Sequence, residues 1–306
     1  MFSYLPEGCR TGTPENNSAM QSYATLQEAA AHGTILEGRA LVCDYDHNLV
    51  IDLGFTKGLI PRNEGALGIE DGTTRDIAII SRVNKPVCFK VTQVYGPSGQ
   101  PAPVLSRRAA QKECMEQYIR NLVPGQVIDA RVTHLEPFGC FVDIGCGIPS
   151  LIPIDAISVS RISHPSDRFA IGQDIKAVVK SIDASGRVNL SHKELLGTWD
   201  ENAALFRPGE TVAGVVRSVE EYGVFVELTP NLAGLAEPCP GVQPGQQASV
   251  YIKSLIPEKM KVKLIIVDAF DAHYSLSPPD YYITGGMIES WRYSPESSDR
   301  LIESVF

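Results

Sequence analysis

Apolar residues in this chain come in short runs, broken by Gly, Pro and Asp, that recur roughly every 8–12 residues. Val127-Ile128-Asp129-Ala130-Arg131-Val132 and Cys140-Phe141-Val142-Asp143-Ile144 are two such runs. Their β-branched and aromatic residues suit a pleated, half-buried surface and predict strands. Three stretches have helical composition. Residues 107–122 are rich in helix formers and free of Gly and Pro, residues 191–206 are interrupted at Gly197, and residues 25–32 are short. Many short strands separated by turn residues predict small barrels or sandwiches.

The runs also repeat. Pro124-Gly125-Gln126 aligns with Pro208-Gly209-Glu210 at an offset of 84 residues. At the same offset Phe138-Gly139-Cys140-Phe141-Val142-Asp143-Ile144 aligns with Tyr222-Gly223-Val224-Phe225-Val226-Glu227-Leu228, and Ser150-Leu151 aligns with Gly234-Leu235. A weaker copy lies upstream. Ile51-Asp52-Leu53-Gly54 parallels Val142-Asp143-Ile144-Gly145, Leu59-Ile60-Pro61 parallels Leu151-Ile152-Pro153, and Leu105-Ser106-Arg107-Arg108 parallels Leu190-Ser191-His192-Lys193. This copy has Asn48-Leu49 where the others carry an aromatic followed by Gly.

A unit of about 70 residues with about five strands, and a short helix or turn before the fourth, fits an OB-fold, a partly open five-stranded barrel. The expected fold is all-β: three tandem OB-fold domains with short helical linkers. The expected divisions are an N-terminal extension 1–32, a divergent OB-type domain 33–108, a helical linker 109–123 and an OB-fold domain 124–193. A linker 194–207, a shortened OB-fold domain 208–270 and an acidic aromatic tail 271–306 follow.

The second and third units resemble the S-one domain, the RNA-binding repeat of the ribosomal protein S-one family. Gly125, Phe138-Gly139-Cys140-Phe141-Val142-Asp143, Gly172, Asp183, Arg187 and Leu190-Ser191 match its pattern in order. Residues 190–199 resemble the linker between that family's repeats, and the resemblance extends over residues 33–270. It implies binding of single-stranded mRNA in translation, association with the small ribosomal subunit and a cytoplasmic location. The sequence also departs from the pattern. The family's usual histidine falls at Pro61, Pro153 and Glu237. Gly209 and Gly245 are 36 residues apart where Gly125 and Gly172 are 47 apart, so the third unit is expected to lack the small helix. Its Asp and Arg positions are Pro257 and Lys261.

Single strands are held by aromatic faces that stack bases and by cations that track phosphates. The candidate RNA-binding residues are Phe138, Phe141, Asp183 and Arg187 in the second unit, and Tyr222, Phe225, Lys259, Lys261 and Lys263 in the third. Side chains alternate along a strand, so Phe138 and Phe141 share a face only if the backbone kinks, which Gly139 permits. Asp183 is expected to orient Arg187 or accept from a base amine. The three lysines alternate and are expected to form a basic strip on one strand. Buried core aromatics and a solvated lysine face are the competing readings. For the first unit a structural or protein-docking role is favoured.

Charge narrows this mechanism. The net charge is −9, from 27 Lys plus Arg and 36 Asp plus Glu. Residues 201–306 hold 14 acidic and 8 basic side chains, so most of the excess lies there. A polybasic mode of binding is excluded, and affinity must rest on stacking and a few placed cations. The tail holds Tyr274, Tyr281, Tyr282, Trp291, Tyr293 and Phe306, too many aromatics for a disordered segment, so part of it is expected to pack on the third unit or on a partner.

No enzyme is predicted. The six histidines make no metal-ligating pair, and no phosphate-binding Gly-rich loop or Gly-x-Ser-x-Gly elbow is present. The seven cysteines are odd in number and lack zinc or redox spacing, so free thiols are expected, with no metal, cofactor or small-molecule substrate. No apolar run reaches the ~20 residues of a membrane span. Two other functions fit the same sequence: an RNA-binding regulator not attached to ribosomes, and a protein-interaction scaffold without RNA binding.

Overall fold

The computed structural model describes residues 4–272 and 276–306. The chain divides into two compact units, Met1–Leu122 with Asp143–Pro149, and Val123–Val142 with Ser150–Phe306.

In the first unit, helices α1 (Pro14–Ala19) and α2 (Tyr23–His32) precede a barrel. Ser22 and Thr25 form a reciprocal capping box at the start of α2. The strands are β1 (Leu36–Cys43), β2 (Leu49–Asp52), β3 (Lys57–Ile60), β4 (Pro86–Tyr95) and β5 (Pro101–Ser106). They close in the order β1-β2-β3-β5-β4, antiparallel except for the β3–β5 pair. Leu26 of α2 caps a core of Leu36, Leu49, Ile51, Phe89 and Leu105. Helix α3 (Ile77–Ile80) lies between β3 and β4, and α4 (Arg107–Gln117) follows β5, N-capped by the Ser106 hydroxyl. Buried Glu7 pairs with Arg107 through Nε at 2.7 Å and Nη2 at 3.0 Å, which fixes the N-terminal segment.

Two further barrels lie in the second half. The first has β6 (Val127–Glu136), β7 (Gly139–Asp143), β8 (Pro149–Pro153), β9 (Asp174–Ile182) and β10 (Val188–Ser191), closed in the order β10-β8-β7-β6-β9. The second has β11 (Thr211–Glu220), β12 (Gly223–Thr229), β13 (Leu232–Ala236), β14 (Gln247–Ile256) and β15 (Lys261–Phe270), in the order β11-β12-β13-β15-β14. The protein is mostly strand with three five-stranded OB-type barrels, as the sequence predicts, and each barrel is closed. Two short 3-10 turns separate β8 from β9, whereas no helix interrupts residues 237–246 between β13 and β14.

The connection between barrels two and three contains a 3-10 turn at Lys193–Leu196 and helix α5 (Trp199–Ala203). Gly197 breaks them at φ +83°. Asn231 of barrel three donates to the Lys193 and Gly197 carbonyls, both at 2.8 Å. The tail packs on both barrels. Its Ile288 N–H donates to Gly125 O at 2.8 Å, and its Gly286 carbonyl accepts from Val127 N–H at 3.0 Å. Ile288, Trp291 and Tyr293 are buried against the core of barrel three, and β16 (Ser290–Arg292) pairs with β17 (Glu303–Val305). Tyr274 lies outside the described residues.

Tyr281 latches the tail to barrel two. Its hydroxyl accepts from Lys176 N–H at 3.0 Å and donates to His192 Nε2 at 3.1 Å, while His192 Nδ1 donates to Ile157 O at 2.8 Å. Burial, helped by the Arg168 charge, pushes the His192 pKa down to about 4. Because the folded value lies below the ordinary ~6.5, this contribution to stability is complete above pH ~6.5 and declines as pH falls toward 4. Both tryptophans, Trp199 and Trp291, are buried in the second unit and report on it alone. Urea unfolding followed by tryptophan fluorescence should lose up to about 3 kcal/mol between pH 7 and 4, and His192→Gln should flatten that slope.

Candidate nucleic-acid interface

On β12 the fully buried Val224 and Val226 alternate with Phe225 and Glu227, so the latter two lie on the outer face of the barrel. Pairing carries this face across the sheet. Phe225 lies opposite Ser218 on β11 and Leu235 on β13, and Leu235 lies beside Lys263 on β15. Tyr222, in the turn before β12, is 66% exposed and meets the Phe225 ring edge-to-face at 6.2 Å and 88°. A groove of about 520 Å³ opens here, lined by Tyr222, Phe225, Lys253, Met260, Lys261 and Lys263.

Barrel two repeats the arrangement. Phe138 is 57% exposed, and its ring meets Phe141 at 6.0 Å and 89°. Leu151 of β8 lies beside Asn189 of β10. The Arg187 side chain is exposed at the foot of β10 and makes no ion pair among the described residues. Gly139 and Gly223 allow both aromatic pairs to form. A Cβ on Gly139 would lie 2.5 Å from Ile152 O, and one on Gly223 would lie 2.4 Å from Ala236 O. The glycine therefore serves a close approach to the neighbouring strand. In barrel three the register shift falls on β11, between Val216 and Ser218.

Two expectations about side-chain roles change. The Asp183 carboxylate accepts from the Ser185 hydroxyl at 2.6 Å and from the backbone N–H groups of Ser185 and Arg187 at 2.8 and 2.9 Å. These hydrogen bonds, led by the Ser185 hydroxyl, hold its pKa below the usual range. Asp183 thus shapes the β9–β10 turn and contacts the backbone of Arg187. Lys259 does not share a strand with Lys261 and Lys263. It lies in the 3-10 turn Pro257–Lys259, and Met260 follows in a left-handed conformation. The lysines on the strand are joined in the groove by Lys253, from β14. Pattern alone missed Lys253 because its place depends on the register shift between Ile252 and Ser254. His134, 6.5 Å from the Phe141 ring, was missed likewise.

In the first barrel the corresponding strip runs Val42, Val50, Leu59 and Val104, paired in the same way across β1, β2, β3 and β5. It is aliphatic and partly exposed, with Val42 at 52%. By this register His47 takes the first aromatic position and Asn48 the glycine position, one residue earlier than the sequence match placed them. Asn48 closes its own loop, donating to Asp44 and accepting from Arg62 N–H.

The acid after the aromatic strand is structural in both later copies. Asp143 is buried in the first unit and accepts from the N–H groups of Glu7 at 2.6 Å, Gly145 at 2.8 Å and Gly147 at 3.0 Å. Burial and the Glu7 charge push its pKa up to about 7. Glu227 is buried on the outer face of barrel three. It accepts from Arg217 Nε and Nη2, both at 2.9 Å, from the Ser160 hydroxyl at 2.7 Å, and from Arg168. Burial alone would raise its pKa, but the two guanidiniums outweigh this and hold it below the usual range.

Tandem five-stranded barrels with an aromatic pair repeated on the outer face define an OB-fold repeat protein. Residues 122–193 match the model of the S1 (S-one) RNA binding domain. Small ribosomal subunit protein bS1 of Staphylococcus aureus (strain COL) is 30% identical over 263 residues, covering 80% of this chain and 64% of that protein. The bS1 homolog of Bacillus subtilis (strain 168) is 37% identical over 138 residues, 43% of this chain and 36% of that protein. A solved multidomain protein with nucleic acid binding domains from Streptococcus pneumoniae is similar at 14% identity, covering 77% of this chain and 74% of that one, with a TM-score of 0.26. Over 80% of its length the chain is similar to ribosomal protein S1. It spans about 64% of the length of the first curated relatives it matches.

The exposure of the acid decides what its removal does. Glu227→Gln takes the paired carboxylate from buried Arg168 and leaves Arg217 only Asp167 at 3.6 Å, and it should cost about 3–5 kcal/mol of unfolding free energy. Asp52→Asn, at the exposed counterpart in barrel one, should change stability by less than about 0.5 kcal/mol. Denaturant titration of each variant gives both values.

Proposed function

We propose that the chain binds single-stranded RNA through barrels two and three, by stacking bases on Phe138/Phe141 and Tyr222/Phe225 and by placing phosphates on Arg187, Lys261, Lys263 and Lys253. The observation that carries this is the repetition of one exposed edge-to-face aromatic pair on equivalent strands of two barrels. Lone exposed aromatics are ordinary, but two pairs repeated in register and flanked by exposed cations make a stacking platform. Lys259 and Asp183 act at the margin, as an outlying cation and as the support of the Arg187 turn. Every base has a flat face, so sequence preference is loose.

The divisions 33–108, 124–193 and 208–270 are then modules with different tasks. The first barrel carries an aliphatic strip where the others carry aromatics, which favours docking on a protein over stacking. With the family resemblance this supports a role in translation, as an mRNA-binding protein attached to the small ribosomal subunit in the cytoplasm. The chain needs no cofactor for such a role and performs no catalysis in it. Co-sedimentation with small ribosomal subunits separates this from an RNA-binding regulator that acts off the ribosome.

Titration against a labelled single strand of ~12 nucleotides tests the binding itself. Phe138→Ala should weaken affinity by roughly 5- to 100-fold, the worth of one stacked base. Arg187→Ala should weaken it less and make the salt slope shallower by ~0.7, and Asn48→Ala should leave it unchanged. An absence of binding at low salt, or a large loss from Asn48→Ala, would contradict the proposal.

A further inference from the structure

Three cysteines that lie far apart in the chain meet in one place. Cys88 is on β4, Cys114 on α4 and Cys146 in the turn 143–149, which follows β7 and belongs to the first compact unit. All three are fully buried. The thiols of Cys88 and Cys114 both hydrogen-bond to Cys146, so its sulfur is the centre of the trio. The turn is built to hold it there. Cys146 stands between Gly145 and Gly147 at φ +50°, a left-handed conformation that a β-carbon disfavours. Its N–H donates to Leu5 O at 2.9 Å, and its carbonyl accepts from Gln111 Nε2 at 3.2 Å. A Cβ on Gly145 would lie 2.9 Å from Cys114 Sγ, and one on Gly147 would collide with Arg107 Nη2, so the turn is pressed against α4 on both sides of Cys146. A strained residue held by its surroundings is a pointer to function.

The surroundings also suit a nucleophile. The hydrogen bonds from Cys114 and Cys88, with the charge of Arg10, outweigh burial and hold the Cys146 pKa below the usual thiol range. Cys88 and Cys114 are pushed up by donating to Cys146 and by burial, so both keep their protons. A thiolate beside two thiols is the arrangement in which an oxidised sulfur is captured by its neighbour. The cover over the trio is a segment outside the barrel strands. Leu5 O receives the Cys146 N–H, and Glu7 N–H donates to the Asp143 carboxylate at 2.6 Å. Such segments open locally at less cost than strands do. Hydrogen peroxide is little larger than water, so local opening admits it.

We propose that Cys146, Cys114 and Cys88 form a site oxidised by hydrogen peroxide and closed as a disulfide from Cys146 to one of its two neighbours. The Cys146 thiolate attacks one peroxide oxygen. The O–O bond breaks, the sulfur becomes a sulfenic acid, and the other oxygen leaves as hydroxide. That hydroxide takes the proton of the neighbouring thiol and becomes water. The new thiolate attacks the sulfenyl sulfur, the S–S bond forms, the S–O bond breaks, and the hydroxide released is protonated by solvent. Each of the two sulfurs has given up one electron, and the peroxide has gained both. The bond fastens the turn after β7 to α4 or to β4, and reduction by a dithiol releases it.

Mass spectrometry of the oxidised full chain tests this. The chain is exposed to equimolar hydrogen peroxide at neutral pH, blocked with N-ethylmaleimide in urea and digested without reductant. A peptide containing Cys146 should be found joined to one containing Cys114 or Cys88, lighter by two hydrogens than the pair, and dithiothreitol should separate them. Cys43 and Cys239 are partly exposed. The link should nevertheless form before either is oxidised, the reverse of the order that exposure alone dictates. Cys146→Ser should abolish the link, and Cys43→Ser should leave its yield unchanged. Because the link is read on the native chain, a Cys146→Ser chain that misfolds does not blunt the test. If Cys43 and Cys239 are consumed while the trio stays reduced, the proposal is wrong. It is equally wrong if the first link joins any other pair of cysteines, or if Cys146 is recovered as a sulfinic acid with no partner.

Discussion

The second half of this protein is organised by a carboxylate buried on the outside of a barrel. Taking a carboxylate out of water costs several kcal/mol unless charge and hydrogen bonds replace the solvent. Glu227 obtains that replacement from its own barrel, through Arg217, and from barrel two, through Arg168 and Ser160. Once those partners are in place the segment 158–168 cannot leave the β12 face without stranding two arginines and an acid. The Asn231 hydrogen bonds and the tail's contacts with Gly125, Val127 and His192 add to the same fixation. Barrels two and three consequently share one compact unit.

One backbone lattice carries two surface chemistries. The position two residues before the strand acid is Val50, Phe141 or Phe225, on the second strand of each barrel; Val50 pairs with Leu59 and Phe225 with Leu235 on the third. The closed five-stranded topology fixes the place, and the side chain decides the task. An aliphatic strip such as Val42–Val50–Leu59 gains by excluding water against another apolar surface, whereas an edge-to-face aromatic pair leaves a ring face open to a base. The glycine that opens the second strand is common to barrels two and three for a steric reason, because a Cβ there would collide with a carbonyl of the adjacent strand.

The repeat at an offset of 84 residues made the barrels legible, because strand order follows once β-rich units of this length recur with turns at matching places. The aromatic pairs were legible for the same reason. Roles that depend on tertiary register were not. Asp183 looked like a partner for the Arg187 side chain, but its carboxylate is taken up by the turn it closes. Lys259 fitted an alternating pattern, yet Pro257 and Met260 end that pattern before the strand begins. Lys253 carries no local signal, since its position near the aromatic face follows from a register shift in β14. The acid of the repeat carried no assigned role in the sequence, and its burial shows that it anchors structure.

The central claim is that nucleic acid meets this chain on the aromatic faces of barrels two and three. Photo-cross-linking of a single strand carrying 4-thiouridine, followed by mass spectrometry of the modified peptides, tests it most directly. The account predicts adducts in the peptides containing Phe138, Phe141, Tyr222 and Phe225. Adducts confined to the first barrel's Val42–Leu59 strip or to the tail would contradict it.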